Sequence, residues 1–285
     1  MIALNLTMKK IFITTVALAA VAFGAAAAGL QAGPAQAIAL PAGSHHPVLS
    51  PDGNTLLFSS QDHTGLKALK LSTGEITTID ENASAGFNPV FSTDGSEVFY
   101  RTASMEDGLL YRDVRSYSLT DRSGRRLAAP SRDNVNMAGL AGGTYAYADY
   151  RTIKVQTGGT AVDVSPLPDS HSYLWASLDS EGTRMLFTEP FEGVFVSNAD
   201  GSDARRLLAK GDFASWAGNG WIVAVVSHDD GYVILDSTLV AVNVNTGETV
   251  SLTSDDVLVG EATASESGKV VYTTLDGRMY MISLF

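Results

Sequence analysis

The chain of 285 residues has no cysteine. That excludes disulfides, thiolate metal sites, cysteine nucleophiles and lipid attachment through an N-terminal cysteine. Positive charge is scarce: 19 Lys and Arg stand against 31 Asp and Glu, a formal net charge of −12. So acidic a chain is unsuited to nucleic acid or to an anionic membrane surface. Helical patterning is missing too. Beyond the first residues no stretch repeats its apolar positions at a helical period, and there is no Pro- or Ser-rich linker and no low-complexity tract. The chain contains no Gly-x-Ser-x-Gly nucleophile elbow and no Gly-rich phosphate loop, and Gly142-Gly143 reads as the remnant of a turn.

The one long apolar run stands at the start. Lys9-Lys10 is followed by an uncharged run from Ile11 to Ala28 and then by the small-x-small triplet Ala35-Gln36-Ala37. Together these predict a secretory signal peptide over 1–37, removed after Ala37. A membrane anchor is the other reading of so long a run, but the Ala-rich end and the triplet favour the signal. Met8, directly before the lysines, is a second candidate start. The expectation is an exported protein, periplasmic or extracellular, with no membrane insertion after signal removal and one domain over 38–285. The removed segment carries two lysines and no acid, so the mature chain is more acidic still.

Six times an apolar strand start, a tight Asp/Gly-type turn and a second apolar strand recur, roughly every 40 residues, as in propeller blades. The clearest copies are His46-Pro47-Val48-Leu49-Ser50-Pro51-Asp52-Gly53 and Asn88-Pro89-Val90-Phe91-Ser92-Thr93-Asp94-Gly95. Hairpin turns such as Ser72-Thr73-Gly74-Glu75 and Asn245-Thr246-Gly247-Glu248 join later strands. Blade three is degenerate, with Leu140-Ala141-Gly142-Gly143 in place of the turn and Thr157-Gly158-Gly159 between its outer strands. The predicted fold is all-β, a six-bladed β-propeller whose four strands per blade are a to d from the channel outward. The last strand, Met279 to Ile282, alternates and would be strand c of blade six. Its missing outer strand is expected from Ile38-Ala39-Leu40 at the mature N-terminus, because an unpaired edge there invites aggregation.

The Pro-x-Leu/Phe-Ser-x-Asp-Gly motif resembles the propeller repeat of the TolB-like family and the propeller portions of dipeptidyl-peptidase and tricorn-type proteins. Blades one and two carry the resemblance well, four to six in part, three weakly. Neither the extra N-terminal domain of TolB nor the α/β-hydrolase domain of the peptidases is expected here, so neither parent function carries over. The resemblance implies a scaffold whose channel or one face binds a protein, a peptide or a small ligand.

Alternating strands place the a–b and c–d turns on one face and the d–a and b–c loops on the other. Asp52 and Asp94 belong to tight repeated turns and read as turn-capping residues. All five histidines fall on the d–a/b–c face. Residues there preceding the inner strands are the candidate ligand contacts: His45, His46, Asn88, His171, Tyr173, Asp212 and Glu261. His63, His228, Asp229 and Asp230 are the candidate metal ligands, because imidazole and carboxylate suit calcium or a transition metal. No cofactor is otherwise expected. A non-catalytic scaffold with a protein or peptide partner is the favoured reading. The competing one is a metal-assisted glycan lyase or hydrolase using the histidines of that face, to which propeller-fold sugar-acid lyases are similar. Arg122, Arg125 and Arg126 form too small a basic cluster for a nucleic-acid footprint.

Overall fold

The computed structural model describes residues 29–132, 144–157, 160–168 and 171–285. Six sheets follow one another along the chain. A short strand β1 (Gln36–Ala37) comes first. Blade one is β2 (Ser44–Leu49), β3 (Thr55–Ser60), β4 (Leu66–Lys70) and β5 (Glu75–Asp80). Blade two is β6 (Val90–Phe91), β7 (Glu97–Glu106), β8 (Leu109–Ser118) and β9 (Ser123–Ser131). Blade three shows β10 (Thr144–Asp149), β11 (Thr152–Thr157) and β12 (Thr160–Val164); the expected turn at 140–143 lies outside the described residues, as do Gly158 and Gly159 of its outer turn. Blade four is β13 (Leu174–Leu178), β14 (Arg184–Glu189), β15 (Gly193–Asn198) and β16 (Arg205–Leu208). Blade five is β17 (Asp212–Trp216), β18 (Trp221–Asp229), β19 (Ile234–Asn243) and β20 (Thr249–Ser251). Blade six is β21 (Val259–Ala264), β22 (Lys269–Thr274) and β23 (Met279–Ser283). Every pairing is antiparallel, and the fold is a six-bladed propeller.

Successive residues of a strand point to opposite faces, and here both faces are covered. Leu56 and Phe58 pack with Val271 and Met279 of blade six, while Leu57 between them packs with Val98 and Tyr100 of blade two. Val223 and Val225 meet blade six; Ile222 and Ala224 meet blade four. Phe187 and Phe195 stack at 5.5 Å and face blade three. This double burial explains why the b strands read as continuous apolar runs rather than alternating ones.

The repeated turns are held by their first residues. Asp52 Oδ1 accepts from Ser50 Oγ at 2.6 Å and from the Asn54 N–H at 3.0 Å. Asp94 repeats this with Ser92 and Ser96, and these hydrogen bonds lower its carboxyl to about 2. In blade four Asp179 accepts from the Thr183 and Arg184 N–H groups and from the Arg184 side chain. The basic cluster is likewise consumed by ion pairs: Arg122 with Glu75, Arg125 with Glu97 and Arg126 with Asp113.

The expected outer partner of the last strand is displaced along the sequence. Gln36 and Ala37 pair with Met281 and Tyr280, two residues upstream of the anticipated Ile38–Leu40. Ile38 and Leu40 instead pack against the apolar core between blades six and one.

Turn glycines should therefore differ in their tolerance. Gly218 has φ +78°, and a Cβ there would sit 2.2 Å from the Glu266 carbonyl of the next blade. Gly247 has φ +77° with open space around it. Gly218→Ala is expected to lower stability by roughly 2–4 kcal/mol and Gly247→Ala by about 1 kcal/mol, read by urea denaturation; equal losses would refute the inter-blade contact.

Candidate functional site

The inner strands are irregular where they enter the channel mouth. Pairing with strand b slips between His45 and Val48, between Leu174 and Ser177, between Asp212 and Ser215 and between Val259 and Ala262. Such bulges re-aim a side chain. At the slip in blades one, four and five one bulky residue has a positive φ: His46 (56°), Trp175 (46°) and Phe213 (54°). Asn88, at the same repeat position in blade two, has φ 49°. Left-handed backbone costs a non-glycine residue about 1–2 kcal/mol, and such strain concentrates where function needs it. These four side chains and Glu261 of blade six line one cavity of about 220 Å³, together with His63 and Ser215.

His46 and Glu261 join blade one to blade six across this cavity. The His46 backbone N–H donates to Glu261 Oε2 at 2.8 Å, and its Nδ1 lies 2.6 Å from Oε1. Its Nε2 lies 3.1 Å from the Gln61 carbonyl. Both ring nitrogens thus face acceptors only, which satisfies an imidazolium and not a neutral ring. The hydrogen bond that its ring donates to Glu261 raises the His46 pKa, against the opposing effect of burial. Burial pushes Glu261 upward, but the ring hydrogen bond and charge of His46 outweigh it and leave the carboxyl low. His63 stacks on His46 with centroids 3.8 Å apart and lies edge-on to Phe87. Burial, then the His46 charge, lowers its pKa, so it is the neutral half of the pair. His63 Nδ1 and Ser215 Oγ are buried in this lining without a hydrogen-bond partner. Trp175 and Phe213 supply the aromatic wall, 5.6 Å apart and tilted by 34°. Larger cavities lie elsewhere, of about 530 Å³ at the turn side of blades five and six and about 830 Å³ at the outer edge of blade six. Neither has a lining contributed by five blades.

Of the seven expected contacts, His46, Asn88 and Glu261 line the cavity. His45 is half-buried beside it, its ring 5.9 Å from that of His46. Tyr173 is 1% exposed and belongs to the core: its ring meets Phe187 edge-on and its hydroxyl accepts from the Leu167 N–H. Asp212 is half-buried next to Phe213, its carboxyl pushed up by burial. His171 faces Glu189 at 3.6 Å. The expected metal ligands are not brought together. His63 is in the cavity, whereas His228 pairs with Asp236, Asp229 with Lys210, and Asp230 caps the Tyr232 and Val233 N–H groups on the hairpin of blade five. Among the described residues no group of three or more His, Asp or Glu could hold a metal ion.

Trp175 and Phe213 escaped the reading of the sequence, yet a signal was present. His46, Asn88, Trp175, Phe213 and Glu261 each stand four residues before the residue that opens the a–b turn: Ser50, Ser92, Asp179, Ala217 and Ser265. Tyr173 and Asp212 stand two and one positions off this register.

The couple dictates a pH signature. His46 binds its proton more tightly folded than unfolded, so its stabilisation is full below the ordinary 6.5 and fades as pH rises through the raised value. Glu261 contributes above its ordinary 4.5 and loses this as pH falls through its lowered value. Both act together between 4.5 and 6.5. Histidine NMR titration should place His46 above 6.5 and His63 below it, and Glu261→Gln should return His46 toward its ordinary value. A His46 midpoint unmoved by that substitution would refute the pairing.

No family model matches the chain, and no curated protein matches it. Solved structures do. The structure of putative TolB from Agrobacterium tumefaciens aligns with a TM-score of 0.56 at 16% identity, over 86% of this chain and 91% of that one. The Cps50 (Swd1) β-propeller domain of Myceliophteria thermophila aligns at 0.53 with 10% identity, over 86% and 97%. The acylaminoacyl peptidase of Pyrococcus horikoshii aligns at 0.50 with 14% identity, over 81% of this chain and 42% of that longer one. At these identities the likeness is one of architecture: the chain has the TolB-like β-propeller fold.

Proposed function

We propose that this is an exported, non-catalytic β-propeller that binds a protein or peptide partner on its channel-mouth face. The observation that carries the reading is an asymmetry of exposed apolar surface. Met105, Tyr150, Phe191, Tyr232, Leu235 and Leu275 all stand on b–c loops or hairpins of that face, with Phe191 92% and Tyr232 95% exposed. The a–b/c–d side exposes fewer among the described residues: Ile76 and Val162 on outer strands just past c–d turns, and Phe285 at the end of the chain. Apolar surface gathered on one face marks an interaction site. The cavity at its centre offers the aromatic pair Trp175–Phe213, the amide of Asn88 and the His46–Glu261 couple, a combination of aromatic anchors and fixed polar groups that suits an inserted side chain. On the same face the hairpins of blades two and five are the longest among the described residues, with ten-residue strands β7, β8 and β19.

Export rests on the lysine pair and apolar run of the leader, and places the protein in the periplasm or outside the cell. Among the described residues no helix is long and apolar enough to cross a membrane. Closure of the ring by the N-terminal strand is part of this proposal, and what supports it is that β1 lies beside β23, where each other four-stranded blade has its own strand d.

The combined substitution Trp175→Ala/Phe213→Ala should leave thermal unfolding within a few degrees of the parent and weaken a purified partner at least roughly tenfold. The partner is first identified by crosslinking at Tyr232 in the native envelope and then titrated calorimetrically. Unchanged affinity in the double variant would overturn the choice of face.

A further inference from the structure

We propose that the leader is cut after Ala28, at Ala26-Ala27-Ala28, and that Ala35-Gln36-Ala37 remains in the mature protein as the outer strand of blade six. The inference rests on the export reading above. By composition Ala35-Gln36-Ala37 is the evident cleavage triplet, yet it lies within a segment bound to the last strand along its length. Gln31 exchanges two backbone hydrogen bonds of 2.9 Å with Phe285, and Ala32 bridges Leu284. The Gly33 N–H donates to the Ser283 carbonyl at 2.8 Å. Gln36 and Ala37 pair with Met281 and Tyr280, and the Ile38 N–H donates to Met279 at 2.9 Å.

The side chains follow the backbone. Leu30 and Ala35 pack against the apolar core between blades five and six. Ala35 thus has a packing reason that owes nothing to a protease, since it fits against that core, and Ala37 is held by its backbone pairing opposite Tyr280, whose ring stacks on Tyr272. Cleavage after Ala37 would remove all of these contacts except the one made by Ile38. It would leave β23 as an edge with unpaired backbone groups, the arrangement that propellers avoid. The triplet Ala26-Ala27-Ala28 ends the apolar run and satisfies the same small-x-small requirement. Counted from Met8, the leader then falls within the usual length of 15–30 residues. A membrane leader peptidase would hydrolyse the Ala28–Gly29 amide with one water. The C–N bond breaks, hydroxyl goes to the Ala28 carboxyl and a proton to the Gly29 amine. Gly29 is then the first residue, one before Leu30.

The experiment is intact-mass measurement of the full-length precursor after export from a bacterial host, alongside thermal unfolding of chains 29–285 and 38–285. The expected mature mass begins at Gly29, Ala28→Leu shifts or blocks cleavage, and chain 38–285 unfolds at least roughly 5 °C lower. Should 38–285 fail to fold, Gly33→Pro in the precursor tests the same strand. It removes the N–H donated to Ser283 and should lower the midpoint without moving the cleavage. A mature chain beginning at Ile38, or unaltered unfolding of both shortened and proline variants, overturns the inference and leaves export standing. An uncut chain beginning at Met1 or Met8 overturns the inference and the export reading together.

Discussion

Burial of both faces of a blade between its neighbours, as at blades one and five, is the constraint on which the rest of this structure depends. A strand such as β3 sends Leu56 and Phe58 to one neighbour and Leu57 to the other. A single blade therefore cannot satisfy its own apolar residues; each needs a blade on either side. An open row of blades would leave two apolar faces in water, and only a ring leaves none. With no cysteine to staple the chain, this packing and the sheet ladders hold the fold alone.

The seam between blades six and one is where that ring is joined, and it is secured at both ends of the channel. At the turn side the Lys269 ammonium donates to the Gly53 carbonyl and to Asn54 Oδ1. At the mouth His46 and Glu261 form the ion pair, and between them the Leu49 N–H donates to Thr263 Oγ1. The candidate site thus shares residues with the seam. The half-buried couple that shapes the cavity also holds the first blade to the last, so its protonation bears on both.

The two faces divide the work. The a–b and c–d turns are short and capped by Asp and Ser, because each must reverse direction within a few residues beside its neighbour. The b–c hairpins and d–a links have no such limit and vary in length, and there the chain places most of its exposed aromatic and aliphatic side chains. The backbone strain of His46, Trp175 and Phe213 fits this division. It lies at the mouth end of the inner strands, where a bulge turns a side chain toward the channel that regular pairing would direct into the core.

Sequence alone was enough for the number of blades, the turn residues and the face bearing the histidines, since these are local: a tight turn needs its Asp and Gly wherever it is folded, and strand alternation assigns loops to faces by counting. It also held the register that marks the cavity, in the residue four before each turn opening, although Tyr173 and Asp212 look as suitable by type as Trp175 and Phe213. What the tertiary structure decided was which of these side chains point inward. A slip of one residue in an inner strand exchanges core for channel, and that slip is set by pairing with strand b. The meeting of His46 with Glu261, 215 residues apart in sequence, and the pairing of β1 with β23 were decided there as well. Both join the two ends of the chain, and only closure of the ring brings those ends together.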